Sequence, residues 1–124
     1  MRLVGKEIQD KIKDKRYVGI RYGGDEYVVV LRNINLEQTI EFTRELKDAI
    51  SKKKFRIEDE KKTIEVQINA SFGIACYPTD SGNFYDLLRL SDLAMYYVKG
   101  RGRNNIAYIN VEKAISLIDE PKNA

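Results

Sequence analysis

At 124 residues, with an apolar share of 43% and a charged share of 33%, the chain has the make-up of one modest globular domain, which excludes a disordered or fibrous protein. A formal charge of +3 falls short of the strongly basic footprint of a nucleic-acid binder, so no nucleic-acid partner is expected. The longest aliphatic run, Val28-Val29-Val30-Leu31, is far too short to cross a bilayer, and no N-terminal stretch reads as a secretion signal, so a cytoplasmic location without membrane contact is expected.

In chain order, residues 2 to 14 predict a helix with Leu3, Val4, Ile8 and Ile12 on one face. Tyr17 to Tyr22 and Tyr27 to Leu31 are rich in aromatic and β-branched residues and flank Gly23-Gly24, which predicts a hairpin with positive φ at its tip. A second helix is expected from Leu36 to Lys52, with Asn35 as its cap and Gln38 completing a capping box. The period then becomes strand-like: Ile64, Val66, Ile68, Ala70, Phe72, Ile74 and Cys76 alternate with smaller or polar residues. One long strand over 63 to 76 follows, paired through the charged turn at Asp59-Glu60 with Phe55 to Glu58. A third helix over Phe84 to Val98 should bury Leu87, Leu88, Ala94 and Met95, and Gly100 and Gly102 end it. Ile106 to Ile109 is a short last strand, and Val111 to Ile118 reads as a further helix or tail. The organisation is one α+β layered domain over residues 1–110, with 111–124 as a C-terminal helix or tail.

The chain has no histidine, and Cys76 is its only cysteine, read as a small buried hydrophobe. Metal chemistry would therefore run on Asp, Glu and carbonyl oxygens, which suits Mg²⁺. Lys52-Lys53-Lys54 falls at a helix end, where cations complement the dipole and stay solvated. Two segments carry denser chemistry. In Arg21-Tyr22-Gly23-Gly24-Asp25-Glu26-Tyr27, bare backbone at a hairpin tip is followed at once by two carboxylates. That pattern fits a plain acidic turn, or the close approach of an anionic ligand with a metal-binding oxygen beside it. Lys99, Arg101 and Arg103, spaced by glycines, fit either an ordinary helix C-terminus or a polyphosphate site.

Together these segments resemble the GGDEF, or diguanylate cyclase, family. Gly23-Gly24-Asp25-Glu26-Tyr27 matches the naming motif with Tyr for Phe. Ser91 through Asn104 matches the pattern Ala-Asp-x-Ala-(Leu/Met)-Tyr-x-Ala-Lys-x-x-Gly-Arg-Asn, with Ser91 and Val98 replacing alanines. Between them, Asn69 to Ala75 resembles the family's Thr-x-Ser-x-Gly-(Ile/Val)-Ala strand. The resemblance implies an antiparallel-rich sheet with flanking helices, an adenylyl-cyclase or ferredoxin-like fold. It also implies condensation of two GTP molecules to cyclic di-GMP with release of pyrophosphate. Asp25 matches the carboxylate that binds metal and takes part in deprotonation, and Glu26 its neighbouring acid. Gly23 and Gly24 match the backbone that accommodates the nucleotide, and Lys99 and Arg103 the cations on the terminal phosphates. Mg²⁺ or Mn²⁺ is the implied cofactor. A second GGDEF copy is the implied partner, and an upstream sensory domain is a further candidate.

The chain departs from the family pattern ahead of residue 2. The opening Asp-x-(Leu/Phe)-Thr-Gly-Leu-x-Asn-Arg segment and the strand with Asp-x-Asp-x-Phe-Lys-x-x-Asn-Asp, which supplies a second metal carboxylate and a guanine contact, have no counterpart. The fold is therefore expected to lack its first strand and to leave two strand edges unpaired, each a template for association. The family's Arg-x-x-Asp product-inhibition motif is absent, its two positions falling on Asp14 and Tyr17, and repulsion between Asp14 and a cyclic dinucleotide phosphate argues against that inhibitory site. A degenerate module that binds GTP or a cyclic dinucleotide without turnover is the alternative to catalysis.

Overall fold

The computed structural model describes residues 2–13, 15, 17–23, 26–59 and 62–120. Helix α1 (Arg2–Ile12) buries Val4, Ile8 and Ile12, four residues apart on one face. They meet Phe42, Leu46 and Ile50 of helix α2 (Leu36–Lys52), and Phe55 of strand β3 (Lys54–Asp59) closes the same core. The capping box holds: the Asn35 Oδ1 accepts from the Gln38 N–H at 2.8 Å, and the Gln38 Oε1 accepts from the Asn35 N–H at 2.9 Å. Lys52, Lys53 and Lys54 are exposed at the end of α2 as expected, and Lys53 also donates to Glu7 at 2.9 Å and lies 5.8 Å from the Phe55 ring.

Strands β1 (Val18–Arg21) and β2 (Tyr27–Val30) form the expected hairpin, in antiparallel register from Val18↔Val30 to Arg21↔Tyr27. Tyr27, Val29 and Leu31 point onto the α1–α2 core. The opposite face leaves Val18 and Ile20 43% and 47% exposed. Tyr17 meets Phe42 edge-on, with ring centroids 5.5 Å apart. Strands β3 and β4 (Lys62–Gln67) pair antiparallel through six positions, Lys54↔Gln67 to Asp59↔Lys62.

The long strand expected over 63 to 76 is broken in two. β4 ends at Gln67, residues 68–71 are irregular, and β5 (Phe72–Ile74) resumes beside a different partner. Alternation continues through the break because each half still faces an apolar layer, yet the hydrogen-bonding partner changes from β3 to β6 (Ile106–Ile109). β5 and β6 run parallel, and helix α3 (Phe84–Lys99) makes the crossover that parallel strands require. Asn83 caps α3 by accepting from the Asp86 N–H. The helix buries Ala94 and Val98 completely against Ala107, but Leu87, Leu88 and Met95 are only half-buried.

The segment Val111 to Ile118, expected as helix or tail, instead contains a third strand of this sheet, β7 (Ile115–Leu117), antiparallel to β6. Asn110 builds the turn. Its Oδ1 accepts from the N–H groups of Glu112 and Ala114, its Nδ2 donates to Ser116, and Lys113 adopts φ +64°. A left-handed residue at the end of a three-residue loop is a common hairpin connection.

Among the described residues the strands form three sheets: β1–β2, β3–β4 and β5–β6–β7. One core lies on the α1–α2 side and a second, of Ala94, Val98 and Ala107, under α3. Among the described residues no strand lies between β2 and β5, so the edges expected to be unpaired face a cleft.

Candidate nucleotide site

The cleft has a volume of about 1510 Å³, more than the roughly 300–1,000 Å³ of a typical small-molecule pocket. β2 and residues 31–35 line one flank, residues 68–77 another, and α3 contributes Ser91, Asp92, Met95 and Lys99.

The hairpin tip reaches this cleft through Glu26, which is half-buried. The Tyr22 N–H donates to the Glu26 carbonyl at 2.7 Å and extends the hairpin pairing one residue beyond β1 and β2. Gly23 has φ +87°, and nothing lies within 4 Å of where a Cβ would sit, so conformation and not space selects glycine there. Gly24 and Asp25 lie outside the described residues, as does Asp14.

The C-terminus of α3 supplies the cations. Arg103 N–H returns to the Val98 carbonyl at 3.0 Å, and Arg101 N–H bonds the same oxygen at 3.0 Å. The closure needs a left-handed residue, and Gly102 provides it at φ +95°. This reversal separates the three cations grouped by sequence. The Arg101 guanidinium lies 3.5 Å from the centroid of the Tyr97 ring, and its Nη1 donates to the Tyr97 carbonyl, so it is folded back on the helix. Lys99 and Arg103 both line the cleft, and neither makes an ion pair or side-chain hydrogen bond with another described residue. The cation pair and the acid Glu26 thus open onto one space.

Sequence reasoning did not single out Asn104. It also lines the cleft, at φ +52°, and its Oδ1 is buried without a hydrogen-bond partner. Its place after Gly102 and Arg103 was the available signal, but side-chain burial is not readable from spacing.

Cys76 lines the cleft as well, but burial first, and then the nearby Asp80 carboxylate, push its thiol up and away from the reactive thiolate. Expected as a buried hydrophobe, Cys76 is only half-buried. No three described acidic or sulfur side chains gather as a cation cage. That is compatible with Mg²⁺, which commonly takes one or two carboxylates and substrate phosphates in place of a protein cage. Asp25 and Glu26 are oxygen donors of that kind. No described helix is long and apolar enough to cross a membrane.

Comparison with known proteins gives a consistent pattern. The family model described as "Diguanylate cyclase, GGDEF domain" matches residues 1–105. The diguanylate cyclase DosC of Escherichia coli K12 is 26% identical over 106 residues, which cover 86% of this chain and 22% of that protein. The bifunctional diguanylate cyclase/cyclic di-GMP phosphodiesterase MucR of Pseudomonas aeruginosa is 30% identical over 110 residues, covering 84% of this chain and 15% of MucR. The crystal structure of an EAL/GGDEF domain protein from M. capsulatus superposes with a TM-score of 0.72 at 25% identity, over 88% of this chain and 67% of that one. The chain thus spans about a fifth or less of the length of these curated relatives.

Proposed function

This chain belongs to the GGDEF family, and from that premise we propose that its cleft binds GTP and that two copies, face to face, condense two GTP molecules to cyclic di-GMP. The observation that carries the reading is the convergence of Lys99 and Arg103 with the glycine hairpin's Glu26 on one cleft. Two unpaired cations suit a triphosphate, with the planar guanidinium binding two oxygens at once and the ammonium acting as a point charge. The helix C-terminus carries partial negative charge, so the cations also offset what would otherwise repel phosphate.

The nucleotide would lie with its phosphates toward Lys99 and Arg103 and its α-phosphate near the hairpin, whose glycines let backbone come close. The 3′-hydroxyl of one GTP attacks the α-phosphorus of the other. The hydroxyl proton passes to the Asp25 carboxylate, a new O–P bond forms, and the bond to pyrophosphate breaks. A second such step closes the ring. GGDEF domains are generally metal-dependent, and a divalent ion held by Asp25, Glu26 and phosphate oxygens would neutralise phosphate charge. Mg²⁺ fits this oxygen-donor set, and Mn²⁺ is the second candidate. The proposed setting is the cytoplasm, where GTP is supplied, with any sensory domain acting by bringing two copies together.

The second reading is a degenerate module that binds GTP or a cyclic dinucleotide without turnover. The deciding experiment follows labelled GTP with Mg²⁺ or Mn²⁺ at high protein concentration, with Asp25→Asn as control. Cyclic di-GMP that disappears in the variant supports catalysis. GTP binding by calorimetry without product supports the binding module, and absence of both overturns the nucleotide reading.

A further inference from the structure

Among the described residues, the Oδ1 of Asn104 is the only buried side-chain nitrogen or oxygen without a hydrogen-bond partner. Its backbone is also unusual: φ is +95°, +59° and +52° at Gly102, Arg103 and Asn104, a left-handed run with side chains at two of its three positions. Glycine would adopt such a φ without steric cost. A side chain there whose buried acceptor has no protein partner adds a second unfavourable feature to the first, and pairing that oxygen would remove it.

We propose that Asn104 is a positioning residue of the phosphate subsite: its left-handed backbone directs Arg103 into the cleft, and its amide oxygen accepts an N–H from the Lys99–Arg103 pair as a phosphate draws the two cations in. The proposal rests on the nucleotide reading of the cleft and deepens it. The chemistry selects the donor. Phosphate oxygens accept and cannot satisfy an amide oxygen, whereas an ammonium has three N–H groups and a guanidinium five, enough to serve phosphate and amide together. Arg101 is not a candidate, since its guanidinium is engaged with Tyr97. Among the described residues, Lys99 and Arg103 keep their donors available.

The test compares Asn104→Gly and Asn104→Ala with the wild-type chain, using inorganic tripolyphosphate and GTP in calorimetry and thermal melting in parallel. Glycine keeps the backbone and removes the oxygen. It should weaken tripolyphosphate binding ~5-fold or more without lowering the melting temperature, because losing one hydrogen bond to a charged group is felt at that scale. Alanine should weaken binding and lower the melting temperature as well, because it keeps the Cβ and loses the short polar side chain that lets asparagine tolerate the left-handed φ. The effects of Asn104→Gly and of Lys99→Met or Arg103→Met should be non-additive in at least one pair. Wild-type affinity in the glycine variant, or additivity in both pairs, overturns the proposal. Wild-type protein that binds tripolyphosphate but not GTP overturns the guanylate reading while leaving the comparison of Asn104 variants decisive. Binding of neither probe overturns both.

Discussion

Gly73 lies where β5 passes beneath α3, and a Cβ built on it would sit 2.0 Å from the Ser91 carbonyl oxygen, 2.5 Å from the Met95 nitrogen and 3.1 Å from the Ala94 carbonyl carbon. All three are helix backbone, so no side chain can rotate away. In Gly73→Ala the helix would have to retreat from β5 by about 1 Å or more, a gap that forfeits about a quarter to a half of the dispersion energy of the contacts it opens. Those contacts include Ala94 and Val98, which are fully buried under α3. Overpacking a core costs about 1–3 kcal/mol, and two backbones in contact place this case at about 3 kcal/mol or above. With a urea slope of about 1.5 kcal/mol per molar, the unfolding midpoint should fall by about 2 M. Equilibrium urea unfolding followed by circular dichroism measures this, with Gly82→Ala as control, since nothing lies within 4 Å of its Cβ position. The reasoning fails if the Gly73→Ala midpoint stays within about 0.3 M of wild type, well inside the shift expected from the slope.

Three further outcomes follow from described contacts. Asn35→Ala removes the side-chain acceptor of the Gln38 N–H, leaving the Gln38 side chain on the backbone N–H of residue 35, and should cost about 1 kcal/mol, read in the same urea assay. Arg103→Ala should weaken GTP binding about 10-fold or more through loss of a charge-assisted hydrogen bond, while Arg101→Ala, whose guanidinium is stacked on Tyr97, should leave it nearly unchanged. The Arg89 hydrogen bond, then that of Ser81, holds the Asp86 carboxyl below the usual carboxylate range. A depressed carboxylate stabilises the fold above its unfolded pKa and loses that contribution as pH falls through the folded value, below about pH 4. Arg89→Ala should therefore raise the Asp86 titration midpoint, measured by NMR of its side-chain carboxyl carbon.

The parts of the fold that were legible depend on neighbours in sequence. Asn35 and Gln38 mark the start of α2 because the capping box is a contact across three residues. Ile106 to Ile109 and the β3–β4 pairing were visible through local composition and a charged turn. The break at 68–71 was not, because alternation reports which face is apolar and says nothing about which strand supplies the hydrogen bonds. β7 is not legible because Val111 to Ile118 is too short for period alone to separate strand from helix, and the turn ahead of it depends on side-chain bonds of Asn110 that spacing does not encode. At the site, the residue types at the hairpin and helix end were readable. The separation of Arg101 from its two neighbours depends on the reversal at Gly102, which charge spacing does not encode.

The division into two cores has a mechanical consequence. The glycine hairpin is seated on the α1–α2 core, whereas Lys99 and Arg103 belong to the helix whose own small core is closed by Ala107. Phe72 of β5 packs toward the first core, and Gly73 carries α3 on its other face. β5 thus spans the two cores, alongside the α2–β6 contacts and the Arg44–Asp119 ion pair. A change at β5 is therefore felt on both flanks of the cleft at once, because the same three residues brace the layer under the hairpin and the helix that carries the cations.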